Sequence, residues 1–209
     1  KMRLSHSISR KGLTMVQRTS LYLLFGLLLG NLGCMKKQLR EPKPETCNAY
    51  GEFRLNESQA KGLSQAKKQQ MQQEAQVAFQ QALSLDPDNT EAILGLAKSQ
   101  LTGGSTDGAI KILNAAVQKS PENPAFWLLM GRCYGRKKEW SQAVQSLKEA
   151  NRYAPQDRTV LRELGYTLAR AGHIDEGLGY LEQMMPKDQA NYNIARMLEH
   201  IGRADLSPE

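Results

Sequence analysis

Apolar residues beyond residue 57 recur at intervals of three and four positions, which is the period of an amphipathic α-helix. Short polar segments that contain proline interrupt this pattern, for example Asp86-Pro87-Asp88-Asn89 and Ser120-Pro121-Glu122-Asn123. Proline lacks a backbone N–H and clashes with the preceding helical turn, so such segments are typical of turns between helices. The pattern therefore predicts an all-α domain.

The helical segments are also copies of one another. A constant step of thirty-four positions relates prolines to prolines and alanines to alanines along the chain. Three copies in register at three marker positions indicate an internal repeat that contains two helices per unit. The related positions are Pro87, Pro121 and Pro155; Ala75, Ala109 and Ala143; and Ala82, Ala116 and Ala150.

The clearest copy resembles the tetratricopeptide repeat, whose pattern is W-x2-L-G-x2-Y, then A-x3-F, then A and P. Its matching residues are Trp127, Met130, Gly131, Tyr134, Ala143, Leu147, Ala150 and Pro155, with Met for Leu and Leu for Phe as the differences. The resemblance implies a superhelical solenoid of antiparallel helix pairs, which has a concave and a convex face. It implies no particular partner.

With this period the chain divides into an N-terminal segment, a spacer and a repeat domain. Residues 1–33 are predicted to be a signal peptide or membrane anchor, and residues 34–57, which show no period, a flexible spacer. The repeat domain is predicted over 58–203, with about four repeats at 58–89, 90–123, 124–157 and 158–187. A capping helix at 188–203 and a tail at 204–209 complete the chain.

In the tetratricopeptide family the first helix of each repeat lines the concave groove through its second, fifth, ninth, twelfth and thirteenth positions. Carried onto this sequence, those positions include six basic residues and two tyrosines, against the acids Glu91 and Glu199. The predicted peptide-binding residues are Lys98, Arg132, Arg136, Arg162, Tyr166, Arg170, Tyr192 and Arg196.

These residues favour an acidic ligand. Arginine binds carboxylates through two parallel hydrogen bonds, and tyrosine rings pack against an extended peptide. The hypothesis is therefore that an acidic segment or a free C-terminus of a protein partner binds in the groove. The alternative is that the cations are ordinary solvated residues of amphipathic helices.

The N-terminal segment has the layout of a secretory signal. Basic residues precede an apolar run over 21–33, and no acidic residue occurs between Lys1 and Arg40. The start codon is either Met2 or Met15, and the interpretation is the same for both. A run of this length reaches about 20 Å as a helix, which is short of the roughly 30 Å hydrocarbon core of a bilayer.

Cys34 closes the apolar run. Leu32-Gly33-Cys34 resembles the end of a bacterial lipoprotein signal, in which a small residue precedes a cysteine that becomes lipidated. The resemblance predicts lipidation at Cys34 and a domain on the extracytoplasmic side of the cell envelope. Plain secretory cleavage, an uncleaved anchor and an organelle transit peptide are the alternatives.

The distribution of charge argues against nucleic acid as a partner. The formal net charge is +7, but residues 1–55 hold ten Lys or Arg and three Glu, whereas residues 56–209 hold eighteen of each sign. A domain without net positive charge has little counterion release to gain from a phosphate backbone.

No motif in the chain predicts catalysis. The three histidines lack metal-ligand spacing, no phosphate-binding loop or nucleophile elbow occurs, and Cys133 occupies a small, predicted core position. We therefore expect no enzyme activity, no cofactor, no metal and no small-molecule substrate. The predicted function is a membrane-tethered protein-interaction scaffold or assembly adaptor; the alternative is a non-catalytic regulatory or tethering subunit of an enzyme complex.

Overall fold

The computed structural model describes residues 42–202, which form nine helices and contain no strand. The helices alternate between the first and second members of helix pairs, which confirms the predicted all-α solenoid. They are α1 (Pro44–Ser58), α2 (Gln65–Leu85), α3 (Thr90–Thr102), α4 (Thr106–Lys119), α5 (Pro124–Arg136), α6 (Trp140–Tyr153), α7 (Arg158–Arg170), α8 (Ile174–Leu181) and α9 (Lys187–His200).

The turns between repeats begin the first helix of the next pair. The side chain of Asn89 accepts a hydrogen bond from the N–H of Ala92 at 2.9 Å, and Asn123 and Asp157 cap α5 and α7 in the same way. Each cap satisfies a backbone donor that the helix leaves without an intrahelical partner. The repeat therefore fixes the start of α3, α5 and α7 by the same local chemistry.

The turns within repeats also recur at the repeat period. Gly104, Lys138 and Gly172 all have a positive φ, of 90°, 62° and 93°. The following residue closes the preceding helix in each case; the N–H of Glu139, for example, donates to the carbonyl of Tyr134 at 3.0 Å. This is a Schellman termination, which needs a left-handed residue and usually takes glycine. Lys138 is the exception.

Within a repeat, the two helices approach closely where a glycine faces a large apolar side chain. A Cβ added at Gly131 would lie 2.6 Å from Cγ of Leu147, and one added at Gly165 would lie 2.7 Å from Cγ of Leu181. Leu147 and Leu181 are almost fully buried. The close approach lets these side chains fill the core between the helices at normal packing density.

The prediction of a flexible spacer over 34–57 is wrong for its second half. Residues 44–58 form α1, which packs against α2 and buries Cys47 and Leu55, each 5% exposed. Pro44 starts the helix because its fixed φ suits the first helical position and its missing N–H is not needed there. The sequence shows little helical period here because α1 buries small and polar residues, such as Asn48 and Gly51, on its packed face.

The helix α1 is the first helix of the first repeat, displaced along the chain. A Cβ on Gly51 would lie 2.7 Å from Phe79, the residue that stands one repeat period before Leu113 and two before Leu147. Gly51 thus has the role of Gly131, although it precedes its partner by twenty-eight residues instead of sixteen. The first repeat therefore contains twelve extra residues, and the predicted first helix within 58–89 does not form; instead, a turn follows Ser58 and α2 begins early, at Gln65.

The C-terminal end of the described stack is a single helix. The second helix of the fourth pair, α8, has only eight residues, and α9 follows directly after Pro186. Ala190, Ile194 and Leu198 of α9 are fully buried against the fourth pair. The helix thus covers the apolar end of the repeat domain.

Among residues 42–202 there is no helix with the length and apolar character needed to cross a bilayer. The predicted signal segment, Cys34 and the tail over 204–209 lie outside the described residues.

Candidate binding groove

The first helices of successive pairs form one continuous wall. Each of α1, α3, α5 and α7 packs against the next first helix along the chain, whereas successive second helices lie further apart. A stack whose first helices are closer together than its second helices curves toward the first helices, and solenoids use this concave side for binding. The predicted groove residues lie on this wall.

The structure brings three of the predicted arginines to one small cleft. A cavity of about 240 Å³ between α5 and α7 is lined by Arg132, Arg136 and Arg170, together with Glu163. The other lining residues are Gly131, Gly135, Leu147 and Thr167.

One of these arginines is partly neutralised. Nη2 of Arg132 lies 2.9 Å from Oε1 of Glu163, and both side chains are about one-third exposed. An exposed pair of this kind contributes at most about 1 kcal/mol, because water screens it and both side chains lose freedom. Glu163 was not among the predicted groove residues. It lies almost a whole repeat beyond Arg132 in the sequence, so there is no local signal for the pair, and only the packing of α7 on α5 brings the two together.

Arg136 has a structural contact as well as a groove position. Its Nη1 donates a hydrogen bond of 3.0 Å to the backbone carbonyl of Leu101, near the C-terminal end of α3. A cation is favourable there, because the last carbonyls of a helix carry partial negative charge. The contact holds the exposed guanidinium at the edge of the cleft.

A larger cleft lies between α7 and α9. Its volume is about 710 Å³, and it contains the predicted residues Tyr166, Arg170 and Arg196. Arg170 borders both clefts and makes a polar interaction of its own. The remaining lining residues are Asn193, Met197, Glu199 and His200. The mixture of cations, one tyrosine and one methionine suits an acidic peptide with an apolar side chain.

The other predicted groove residues lie outside these two clefts. Lys98 is exposed on α3, Arg162 is exposed on α7, and Tyr192 is 63% exposed on α9. Within the described residues Arg162 and Arg196 take part in no ion pair. The structure therefore concentrates five of the eight predicted residues and leaves three on the surrounding surface.

Cys133 lies beneath the groove wall and is fully buried. Loss of hydration raises the pKa of its thiol to about 11, and the positive charge of Arg136 offsets only part of this rise. A thiol with such a pKa is almost entirely protonated at neutral pH and is a poor nucleophile. No cluster of His, Cys, Asp and Glu in residues 42–202 has the arrangement of a metal site.

One protein family matches part of the chain. The pattern of the tetratricopeptide repeat matches residues 68–133 and, in a second placement, residues 101–162. Both matches begin after α1, which agrees with the displaced position of that helix.

Two curated relatives are similar over part of the chain. The BBSome complex member BBS4 of Bos taurus is 35% identical over 83 residues, which are 40% of this chain and 16% of the relative. The Mus musculus protein of the same name is 37% identical over 75 residues, or 36% of this chain and 14% of that protein. The similarity thus spans less than a fifth of either relative.

Solved structures share the fold at low identity. A MamA protein has a TM-score of 0.55 and 18% identity, with 78% of this chain and 85% of that chain covered. A thermophilic TPR protein of Thermus thermophilus has a TM-score of 0.53 and 22% identity, with 75% and 86% covered. MamA of Desulfovibrio magneticus has a TM-score of 0.54 and 18% identity, with 71% and 77% covered. At these identities the likeness shows the fold alone.

Proposed function

We propose, from the match of the tetratricopeptide repeat to residues 68–162, that the protein is a membrane-tethered scaffold that binds an acidic segment of a protein partner. Repeats of this kind are suited to protein–protein interaction, because stacking builds a long groove without a catalytic centre. The partial similarity to a member of a protein complex supports an assembly role.

The observation that carries the proposal is the convergence of arginines on one side of the stack. Arg132 and Arg136 of α5, Arg170 of α7 and Arg196 of α9 line two adjoining clefts. Arginine is the residue best suited to carboxylates, because its planar group offers paired donors in the geometry of the carboxylate oxygens. An acidic peptide that crosses α5, α7 and α9 would meet these groups in succession.

A binding measurement with a defined probe tests this proposal. The acidic probe is a fluorescent peptide of about twelve residues with a block of four glutamates, and its anisotropy is followed with the full chain at low salt. The variant Arg136→Glu/Arg196→Glu is expected to bind at least tenfold more weakly, since two attractive charges become repulsive. Arg132 is not used, because its loss would leave Glu163 without its partner.

The matched control is Lys111→Glu/Lys187→Glu, which changes the net charge equally at two exposed positions away from both clefts. It is expected to bind the acidic probe as the unmodified chain does, apart from a small effect of net charge. Equal loss in both variants, or no binding of the acidic probe to the unmodified chain, would remove the proposed groove function.

The membrane tether is a separate part of the proposal and rests on the sequence. The basic residues, the apolar run over 21–33 and Cys34 support a lipid-modified N-terminus in the cell envelope. The test is the intact mass of the protein recovered from membranes, beside Cys34→Ser. A chain that begins at Cys34 with added acyl mass, absent from the variant, is expected; an unmodified chain would refute lipidation.

A regulatory or tethering subunit of an enzyme complex is the second candidate. Tyr50 and Phe53 are 45% and 56% exposed on α1, the helix with which the described stack begins. Exposed apolar side chains that share one end of a domain favour docking of another protein through the helices instead of the groove. Phe53→Ser would then weaken assembly with an intact partner complex and leave binding of the acidic probe unchanged.

A further inference from the structure

The helix α1, which the repeat pattern did not predict, adds a second, oppositely charged end to the groove. Because Gly51 has the packing role of Gly131, α1 is in register with α5, and its groove positions follow directly. The second, fifth and ninth positions of α1 are Glu45, Asn48 and Glu52. These residues stand three and four apart, so they share one face of the helix.

Contacts with the next first helix fix the direction of this face. Nδ2 of Asn48 donates to Oδ1 of Asn89 at 2.8 Å and to Oε2 of Glu91 at 3.3 Å. Glu91 is the second position of α3 and thus a groove position itself. The face of α1 that carries Glu45 and Glu52 therefore adjoins the groove side of α3.

The acidic end contains charge that the described residues do not neutralise. Glu45, Glu52 and Glu91 are exposed and form no ion pair within residues 42–202. Other acids nearby are used; Arg54 pairs with Glu57 and Glu74 on a different side of α1. The three carboxylates are thus available to a cationic ligand.

A buried acceptor without a donor lies within the same face. Asn48 is 3% exposed, and its Oδ1 has no hydrogen-bond partner among the described residues. A buried polar atom without a hydrogen-bond partner lowers the stability of the folded state by about 1–3 kcal/mol. Because this oxygen is fully buried, the contribution of Asn48 to the site is to hold the acidic face of α1 beside Glu91.

We propose that the groove recognises a partner segment with two charge blocks, a basic block held by Glu45, Glu52 and Glu91 and an acidic block held by the arginines of α5, α7 and α9. This inference rests on the proposed groove function and names the class of partner more closely. Three steps between neighbouring first helices, at roughly 8–10 Å each, separate α1 from α7. An extended segment of about eight or nine residues spans that distance at about 3.3 Å per residue.

The test compares two fluorescent peptides on the full chain at low salt. The two-block probe has four lysines, a neutral spacer and four glutamates, and it is made with the blocks in both orders. The acidic probe has serines in place of the lysines. We expect the better two-block order to bind three- to tenfold more tightly than the acidic probe, as a few exposed ion pairs would produce.

The variant Glu45→Lys/Glu52→Lys separates this inference from the proposed function. It is expected to remove the difference between the two probes while it still binds the acidic probe at least as well as the unmodified chain. The control Glu122→Lys/Glu182→Lys makes the same change of charge at exposed positions outside the first helices and is expected to keep the difference.

The possible results have distinct meanings. If the acidic probe binds and the lysine block adds nothing, or if its benefit persists in Glu45→Lys/Glu52→Lys, the two-block inference is overturned and the acidic groove stands. If the acidic probe does not bind the unmodified chain, the proposed groove function fails, and the inference that rests on it fails with it.

Discussion

Phe79 is fully buried between two glycines, one from each neighbouring first helix. A Cβ at Gly51 would lie 2.7 Å from its ring, and one at Gly95 would lie closer still. Because the ring is enclosed, it has little room to move away. The ring of Phe79 therefore fits between the helices only because neither of these two positions carries a methyl group.

The first prediction concerns Gly95→Ala. Alanine favours the helix by up to about 1 kcal/mol, but overpacking in a core costs about 1–3 kcal/mol, so we expect a net loss of stability in urea unfolding. The control is Gly179→Ala, where no atom lies within 4 Å of the added Cβ, and it should stabilise the protein slightly. Adding Phe79→Leu to Gly95→Ala should cost less than the sum of the two single losses; simple additivity would contradict the proposed clash.

A second prediction concerns Lys138, which has φ 62° where Gly104 and Gly172 stand in the neighbouring repeats. A left-handed conformation costs a residue with a Cβ about 1–2 kcal/mol, and glycine avoids this cost. The greater entropy of glycine in the unfolded chain offsets only part of that gain. Lys138→Gly should therefore raise the unfolding free energy by up to about 1 kcal/mol. Lys138→Ala keeps the Cβ and removes the charge, so an equal gain in that variant would refute the conformational explanation.

A third prediction follows from the raised pKa of Cys133, which changes from 9.0 to about 11 on burial. The folded state favours the neutral thiol. The contribution of the Cys133 thiol to the free energy of unfolding is therefore fully present below pH 9 and is lost as the pH rises toward 11. The free energy of unfolding of the unmodified chain, measured relative to Cys133→Ala at each pH, should therefore decrease over this range. A constant difference would show that the thiol titrates equally in both states.

At the scale of the element, α1 is packed as a full member of the described stack. It is held by Cys47 and Leu55 against α2 and by the hydrogen bonds of Asn48 to the start of α3. Its outward side, which includes Phe53, is not covered by any of the described residues. The positions of α3, α5 and α7 that correspond to Phe53 are Ser99, Cys133 and Thr167, and each of them is buried.

The prediction at this scale compares Leu55→Ala with Phe53→Ala. Leu55 is 5% exposed, and its truncation should cost about 2–4 kcal/mol because it leaves a cavity, whereas truncation of the 56% exposed Phe53 should change stability by less than about 1 kcal/mol. Urea unfolding gives both values, and limited proteolysis at Arg54 gives a local readout. If neither substitution changes the free energy of unfolding and the unmodified chain is cleaved rapidly at Arg54, α1 is not part of the stack.

At the scale of the whole molecule, the proposed groove combines charges from α1, α3, α5, α7 and α9. Binding in the groove should therefore depend on ionic strength more than the stability of the apolar core does. Contacts between exposed charges are screened over about 8 Å at physiological salt and about 3 Å at 1 M. The affinity for the acidic probe should therefore fall steeply as salt is raised, while the midpoint of urea unfolding changes little. Salt-independent binding would indicate an apolar site instead of the arginine clefts.

The repeat period of the sequence by itself determined most of the fold. Positions one period apart, such as Ala109 and Ala143 or Pro121 and Pro155, predicted the number and order of helices from α3 onward, because each repeat is a local unit whose turns and helices are encoded within itself. The same register placed Arg132, Arg136 and Arg170 on the first helices.

Tertiary structure alone decided the rest. The period fails in the first repeat, since twelve extra residues separate Gly51 from Phe79, and only the packing of α1 on α2 restores the register. Likewise, the pair between Arg132 and Glu163 and the contact between Asn48 and Glu91 join residues of different repeats. Sequence periodicity shows the structure that each repeat has in common with the others. The charge of a groove depends instead on contacts between side chains of different repeats, and the stacking of the helices determines those contacts.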